Sequence, residues 1–156
     1  MPRMCWASTS SAPRRSSSAV IAETVAALKQ ETSLFRLRIY RQACQNLFGQ
    51  AEDVRQLRGA IYDAGESLAY HVEQHDGTSA FAVYLCQLML CLLFHDTAGA
   101  LANAELAEQS IDLVVGQMVV PVFFFYDSLA RLARYAEAGP AEREQTLANV
   151  QANQAR

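Results

Sequence analysis

Residues 79–107 read SAFAVYLCQLMLCLLFHDTAGALANAELA, and the choice of fold turns on them. From Ser79 to Phe94 the side chains are apolar nearly all round, with Gln87 the polar break inside the run Phe81 to Phe94. Such a run is shorter than the ~20 uninterrupted apolar residues a membrane span requires. It suits a helix packed on both sides. After His95-Asp96-Thr97 a second helical segment runs from Asp96 to about Val115. Its alanines at 98, 100, 102, 104 and 107 combine high helix propensity with room for another helix to approach closely. Two helices joined by so short a turn are expected to lie antiparallel, as a hairpin.

Downstream, VVPVFFFY (119–126) carries β-branched and aromatic residues, yet it flows without a break into SLARLARYAEA. Pro121 suits the first turn of a helix that continues through Leu129 and Leu132 to Ala138. Gly139-Pro140 stops it, and a more polar helix starts at Ala141. Upstream, Val20, Val25, Leu28, Leu34, Phe35, Ile39 and Leu47 give a long helical pattern that ends near Gly49. A further pattern through Val54, Leu57, Ile61, Leu68 and Val72 predicts a helix fading at His75-Asp76-Gly77, with Gly65 weakening its centre. The expected fold is all-α: five or six antiparallel helices as helical hairpins over residues 19–156, preceded by a disordered leader at 1–18 rich in Ser and Arg.

Composition is compatible with that fold. Hydrophobic residues make up 51% of the 156 and charged residues 19%, too apolar a mix for a disordered chain. Only 7 Gly and 4 Pro are present, few for a many-stranded sandwich. The net charge of −3 is unevenly split, with seven basic and two acidic residues in 1–41 against six basic and fourteen acidic in 42–156. No Lys or Arg lies between Arg58 and Arg131, where nine carboxylates fall. That stretch repels phosphate, so nucleic acid is not the expected partner. The four cysteines (5, 44, 86, 91) form no CxxC pair and no dense disulfide framework. Cys44, Cys86 and Cys91, set in apolar helical patterns, are expected to be small buried hydrophobes in a cytoplasmic, reducing setting.

Candidate chemistry is sparse. His71 and His75 are four apart on one helical face, a spacing that can ligate a metal with Glu73 or Asp76 as further donors, although the HExxH order is absent. The competing reading places both imidazoles at a helix end, capping carbonyls or meeting solvent. Asp127 and Ser128 are neighbours in sequence and point in different directions on a helix, which rules out a relay between them. Lys29 is the single lysine and follows no glycine-rich loop, so no phosphate-binding motif exists and no cofactor is expected. Phe123, Phe124, Phe125 and Tyr126 cover most of a helix circumference, so some must face another helix pair or a partner. Arg36, Arg38 and Arg41 flank Tyr40 as a solvated face or as a stripe for an acidic partner. Among these, Arg36, Arg38, Tyr40, Phe123, Phe124 and Tyr126 are the candidate partner-binding residues.

The strings at 21–49 (IAETVAALKQETSLFRLRIYRQACQNLFG), 85–112 (LCQLMLCLLFHDTAGALANAELAEQSID), 119–135 (VVPVFFFYDSLARLARY) and 147–154 (LANVQANQ) together resemble a helical region of very large bacterial multi-sensor signalling proteins. Those proteins join a serine/threonine kinase-like domain and an AAA-type ATPase domain, through a tetratricopeptide-like array, to GAF or PAS sensors and often a histidine kinase. Against the tetratricopeptide unit, Tyr84, Leu88, Cys91, Ala100, Ala104 and Ala107 fall at or near packing positions. The chain departs from it at His95 and Thr97, where a Gly and an aromatic are usual. The resemblance implies a tetratricopeptide-like superhelical array, a fragment or stand-alone remnant of a larger signalling polypeptide. It carries over no catalytic residue, because the nucleotide, phospho-His and sensor sites lie outside the matching strings. The implied partners are other domains of the same signalling protein or a protein partner, with a homo-dimer through an exposed array end as a further expectation. A free-standing adaptor that grips a peptide and a small helical metalloprotein are the alternatives.

Overall fold

The computed structural model describes residue 21 and residues 31–156; the expected leader at 1–18 and Cys5 lie outside them. Six helices follow in order: α1 (Glu31–Leu47), α2 (Ala64–Glu73), α3 (Gly77–Leu93), α4 (Thr97–Glu108), α5 (Val119–Ala133) and α6 (Pro140–Gln154). A short 3-10 turn, Ile111–Val114, sits between α4 and α5. Among the described residues there is no strand, only an isolated bridge between Arg58 and Asp63, so the expected all-α class holds.

The all-round apolar helix is the hub. α3 packs most extensively on α4 and also touches α1, α2 and α5. One of its faces, Phe81, Leu85, Leu88 and Cys91, enters a core with Ala100, Ala104 and Ala107 of α4 and Phe123, Phe124 and Ala130 of α5. Its other face, Ala82, Val83, Cys86 and Leu90, closes a second core with Ile39 of α1, Leu57, Tyr62 and Ala64. The alanines of α4 leave little bulk between the helix axes, which is why α3 packs more extensively on α4 than on any other described helix.

The turns into and out of α3 use one device twice. At the end of α2 the amide of Asp76 donates back to the His71 carbonyl at 2.8 Å while His75 takes φ 55°. At the end of α3 the amide of Asp96 donates to the Cys91 carbonyl at 2.7 Å while His95 takes φ 61°. Each is the left-handed helix stop usually made by glycine, which explains how the hairpin closes where a Gly is expected. The Asp that follows then starts the next helix. Asp76 accepts from the Ser79 amide at 3.1 Å and Asp96 from the Gly99 amide at 2.9 Å.

The helix predicted through Val54 to Val72 is corrected: only Ala64–Glu73 is helical, and residues 48–63 form an irregular loop. Two buried amides on α1 account for it. Asn46 donates to the carbonyls of Val54 (3.1 Å) and Gln56, and its own oxygen accepts from Gln42 at 3.0 Å. Gln42 in turn accepts from the amides of Ile61 (3.3 Å) and Tyr62 (3.4 Å). These bonds give the loop backbone partners that a helix would otherwise supply. Leu57 is fully buried, so its hydrophobicity reports loop burial rather than a helical face. Three smaller corrections concern bounds and burial: α4 ends at Glu108 rather than near Val115, α5 ends at Ala133 rather than Ala138, and Cys44 is exposed.

Candidate functional site: closed polar clusters and open apolar faces

The most polar part of the interior lies where the loop, α2 and α3 meet. The Nε2 of His71 is 3.1 Å from the Tyr62 hydroxyl and its Nδ1 3.3 Å from Asp76 Oδ2. The second approach is close without the alignment of a hydrogen bond. Phe35 of α1 meets the ring edge-on at 4.9 Å, and the imidazole is fully buried. Burial holds the His71 pKa below its ordinary value against the opposing pull of Asp76. Burial, then the Asp76 charge, pushes the Tyr62 phenol up. For Asp76 burial alone would raise the carboxyl; the donors Ser79 and Thr78 and the nearby His71 outweigh it and hold it below its ordinary value.

His75, by contrast, is exposed, with Nδ1 3.1 Å from the Glu73 carbonyl oxygen. The two imidazoles proposed as a metal pair therefore occupy different environments, one walled in between Tyr62 and Asp76 and the other at the surface. Among the described residues no three of His, Cys, Asp and Glu gather as a ligand set.

A second closed cluster joins α5 to α6. Asp127 is buried and accepts from Arg131 Nε at 3.0 and 2.9 Å and from Asn153 Nδ2 at 2.7 Å. Ser128 donates to the Phe124 carbonyl at 2.7 Å and accepts from Asn153 at 3.1 Å. Asp127 and Ser128 thus act together after all, as a staple through Asn153 rather than as a proton relay. The i, i+4 spacing of Asp127 and Arg131 was the sequence signal for the first half of it. Burial pushes the Cys86 thiol up to about 12 and the Cys91 thiol to about 11, which keeps both protonated and unreactive.

Two of the open grooves are mainly apolar, and a third, of about 540 Å³, is lined by polar loop residues that include Glu52, Asp53, Arg58 and Asp63. A groove of about 550 Å³ runs beside α1, walled by Leu37, Tyr40, Cys44, Phe48 and Ile61. Of the candidates placed there, Tyr40 lines the groove, Arg38 is exposed and lies 6.0 Å from the Phe35 ring, and Arg36 is half-buried. A smaller groove of about 310 Å³ lies between α5 and α6, lined by Pro121, Phe124, Phe125, Ser128, Asn153 and Arg156. Within the aromatic run Phe123 and Phe124 are buried in the core, Phe124 also edging the smaller groove, and Tyr126 is half-buried. The exposed member is Phe125, at 58%. It belongs to a row Met118, Val122, Phe125, Leu129 and Leu132, all exposed and spaced 4, 3, 4 and 3 residues apart. That heptad spacing was readable in the sequence and was masked by the apolar residues all round it.

No described helix is long and apolar enough to cross a membrane. Comparison with protein families, with curated proteins and with solved structures finds no match to this chain.

Proposed function

We propose that this chain is a non-catalytic helical interaction and spacer module, a tetratricopeptide-like superhelical array within a bacterial-type signal-transduction kinase or ATPase system. The observation that carries the reading is the order of packing. α1 touches α3 and α3 touches α5, while α2 and α4 each touch the helix that follows them and α6 returns onto α5. This order of contacts supports a stack of helix pairs, the arrangement through which solenoid proteins present a binding face. The two polar clusters favour the same reading, because Tyr62 and His71, and Asp127 and Asn153, are occupied with one another across neighbouring elements. The partners are other domains of the same signalling protein, met in a cytoplasmic setting.

The test is a titration of the purified chain against a serine/threonine kinase-like domain, an AAA-type ATPase domain and a neighbouring helical segment from a multi-sensor protein, followed by sedimentation velocity. A saturable complex with one of them supports the proposal. A well-packed chain that binds none of them, or that turns over a substrate unaided, overturns it. The groove beside α1 favours a second reading, a free-standing adaptor that grips a peptide against Tyr40 and Phe48. That reading expects loss of the peptide on Phe48→Glu, with the domain titrations blank.

A further inference from the structure

We infer that the exposed row on α5 is a self-pairing seam, through which two copies of this chain associate by an antiparallel helix pair. The inference does not rest on the signalling role and stands if none of the signalling domains binds.

α5 is apolar on two opposite faces. One face, Phe123, Asp127 and Ala130, is buried in the molecule. The other carries Met118 and Phe125, at 84% and 58% exposure, with Val122, Leu129 and Leu132 between and beyond them at 38–39%. Isolated exposed leucines are ordinary on any surface. Five large apolar residues in steps of 4, 3, 4 and 3 are a seam of the kind that packs knobs into the holes of a facing helix. The row presents on the order of 500 Å² of surface, below the ~800 Å² each partner contributes to a standard interface and in the range of a weak association.

The occupant follows from what flanks the row. The helix positions beside it are Pro121 and Ser128 on one side and Val119, Tyr126 and Ala133 on the other. None is charged, so nothing selects a partner of opposite charge and nothing repels an identical helix. Direction follows from size. In a parallel pair Phe125 would face Phe125 and Val122 would face Val122, crowding one layer and leaving the next thin. In the antiparallel pair Val122 faces the partner's Phe125, so large meets small there, and Met118 faces the partner's Leu129, of similar size. The two helix dipoles then oppose, which favours the same direction. A single two-fold axis relates the copies and the contact closes on itself, so it ends at a dimer rather than a fibre.

The test is sedimentation equilibrium of the full chain up to about 100 µM, the range of weak specific association. A dimer is expected. Phe125→Glu and, separately, Val122→Lys should each weaken it at least tenfold with the helical circular dichroism unchanged, since both side chains lie at the surface. Glu105→Lys on α4, off the row, should leave it intact. Direction is read with cysteines in a Cys5→Ser, Cys44→Ser background. A mixture of Val122→Cys and Phe125→Cys chains should form a cross-chain disulfide, and neither variant alone should do so efficiently. A monomer throughout the range overturns the inference, as does a dimer that survives both seam substitutions. Efficient cross-linking of each single-cysteine variant with itself overturns the antiparallel arrangement.

Discussion

His75 and His95 hold the same left-handed backbone conformation, φ 55° and 61°, twenty residues apart, and each is followed by the aspartate that caps the next helix. A side chain in this conformation crowds its own carbonyl, at a cost of roughly 1–2 kcal/mol that glycine does not incur. The pair therefore marks two places where the chain is stopped against its local preference. The returning amides of Asp76 and Asp96 and their side-chain caps supply the compensation.

His95→Gly should consequently stabilise the protein by about 1 kcal/mol, raising the thermal midpoint by roughly 2–4 °C for a chain of this size. His95→Val should do the reverse, because a β-branched residue tolerates this conformation least. Thermal denaturation followed by circular dichroism measures both. Equal midpoints for the two variants would remove the left-handed stop as the reason.

The buried imidazole makes stability depend on pH. Folded His71 has a pKa below the ~6.5 of an unfolded histidine, so between the two values the unfolded chain binds more protons. Stability is therefore fully present above about pH 6.5 and declines as pH falls from there through the lowered folded value. The groups that face the ring are Tyr62, Asp76 and Tyr70, with Phe35 from α1. Tyr62 stays neutral throughout this range because its pKa is raised, and Asp76 stays ionised because its own is lowered. Urea midpoints measured from pH 7.5 down to 5 should fall in the wild type, and the slope attributable to this site should vanish in His71→Gln.

Asn46 and Gly59 test the pinned loop. Asn46→Ala strips the partner from part-buried carbonyls of residues 54 and 56 and should cost about 1–3 kcal/mol. A methyl group on Gly59 would come within 2.5–2.8 Å of the Gln42 amide, which is itself held by Asn46 and by the loop backbone. Gly59→Ala should therefore destabilise by a similar amount through crowding. Protease cleavage within 48–63, faster in both variants than in wild type, locates the effect. Unchanged cleavage there would show that the loop is held by something else.

For the α5–α6 staple, a double-mutant cycle between Asp127→Asn and Asn153→Ala should return a coupling of about 1 kcal/mol, as expected of groups sharing a hydrogen bond. Arg131 is one-quarter exposed and lysine keeps its charge, so Arg131→Lys should be milder than either. Additive effects of Asp127 and Asn153 in urea denaturation would dissolve the staple into independent contacts.

The helices that sequence reading located well are those whose signals are local. Residues 79–107 show their hairpin because an all-round apolar run, an Asp cap and an alanine-rich run lie within one short stretch. Pro140 marks the start of α6 for the same reason, being a helix-starting residue right after a glycine. The segment 48–63 was misread because its fate is set from a distance. Leu57 and Ile61 keep a helical spacing, but Gln42 and Asn46 on another element claim the backbone between them. The site suffered in the same way: Phe123, Phe124, Phe125 and Tyr126 look alike as a string, and only the placement of α3 and α4 decides that Phe125 is the one left outside.

What the amino-acid order determined alone is the all-α class and the punctuation of the helices, because periodicity, caps and stops act within a turn or two of the chain. Which apolar faces are spent in the core, which imidazole is walled in beside Tyr62 and Asp76, and which row on α5 stays open were decided only when the helices packed. Burial is a property shared between elements, and no residue's own neighbours in sequence carry it.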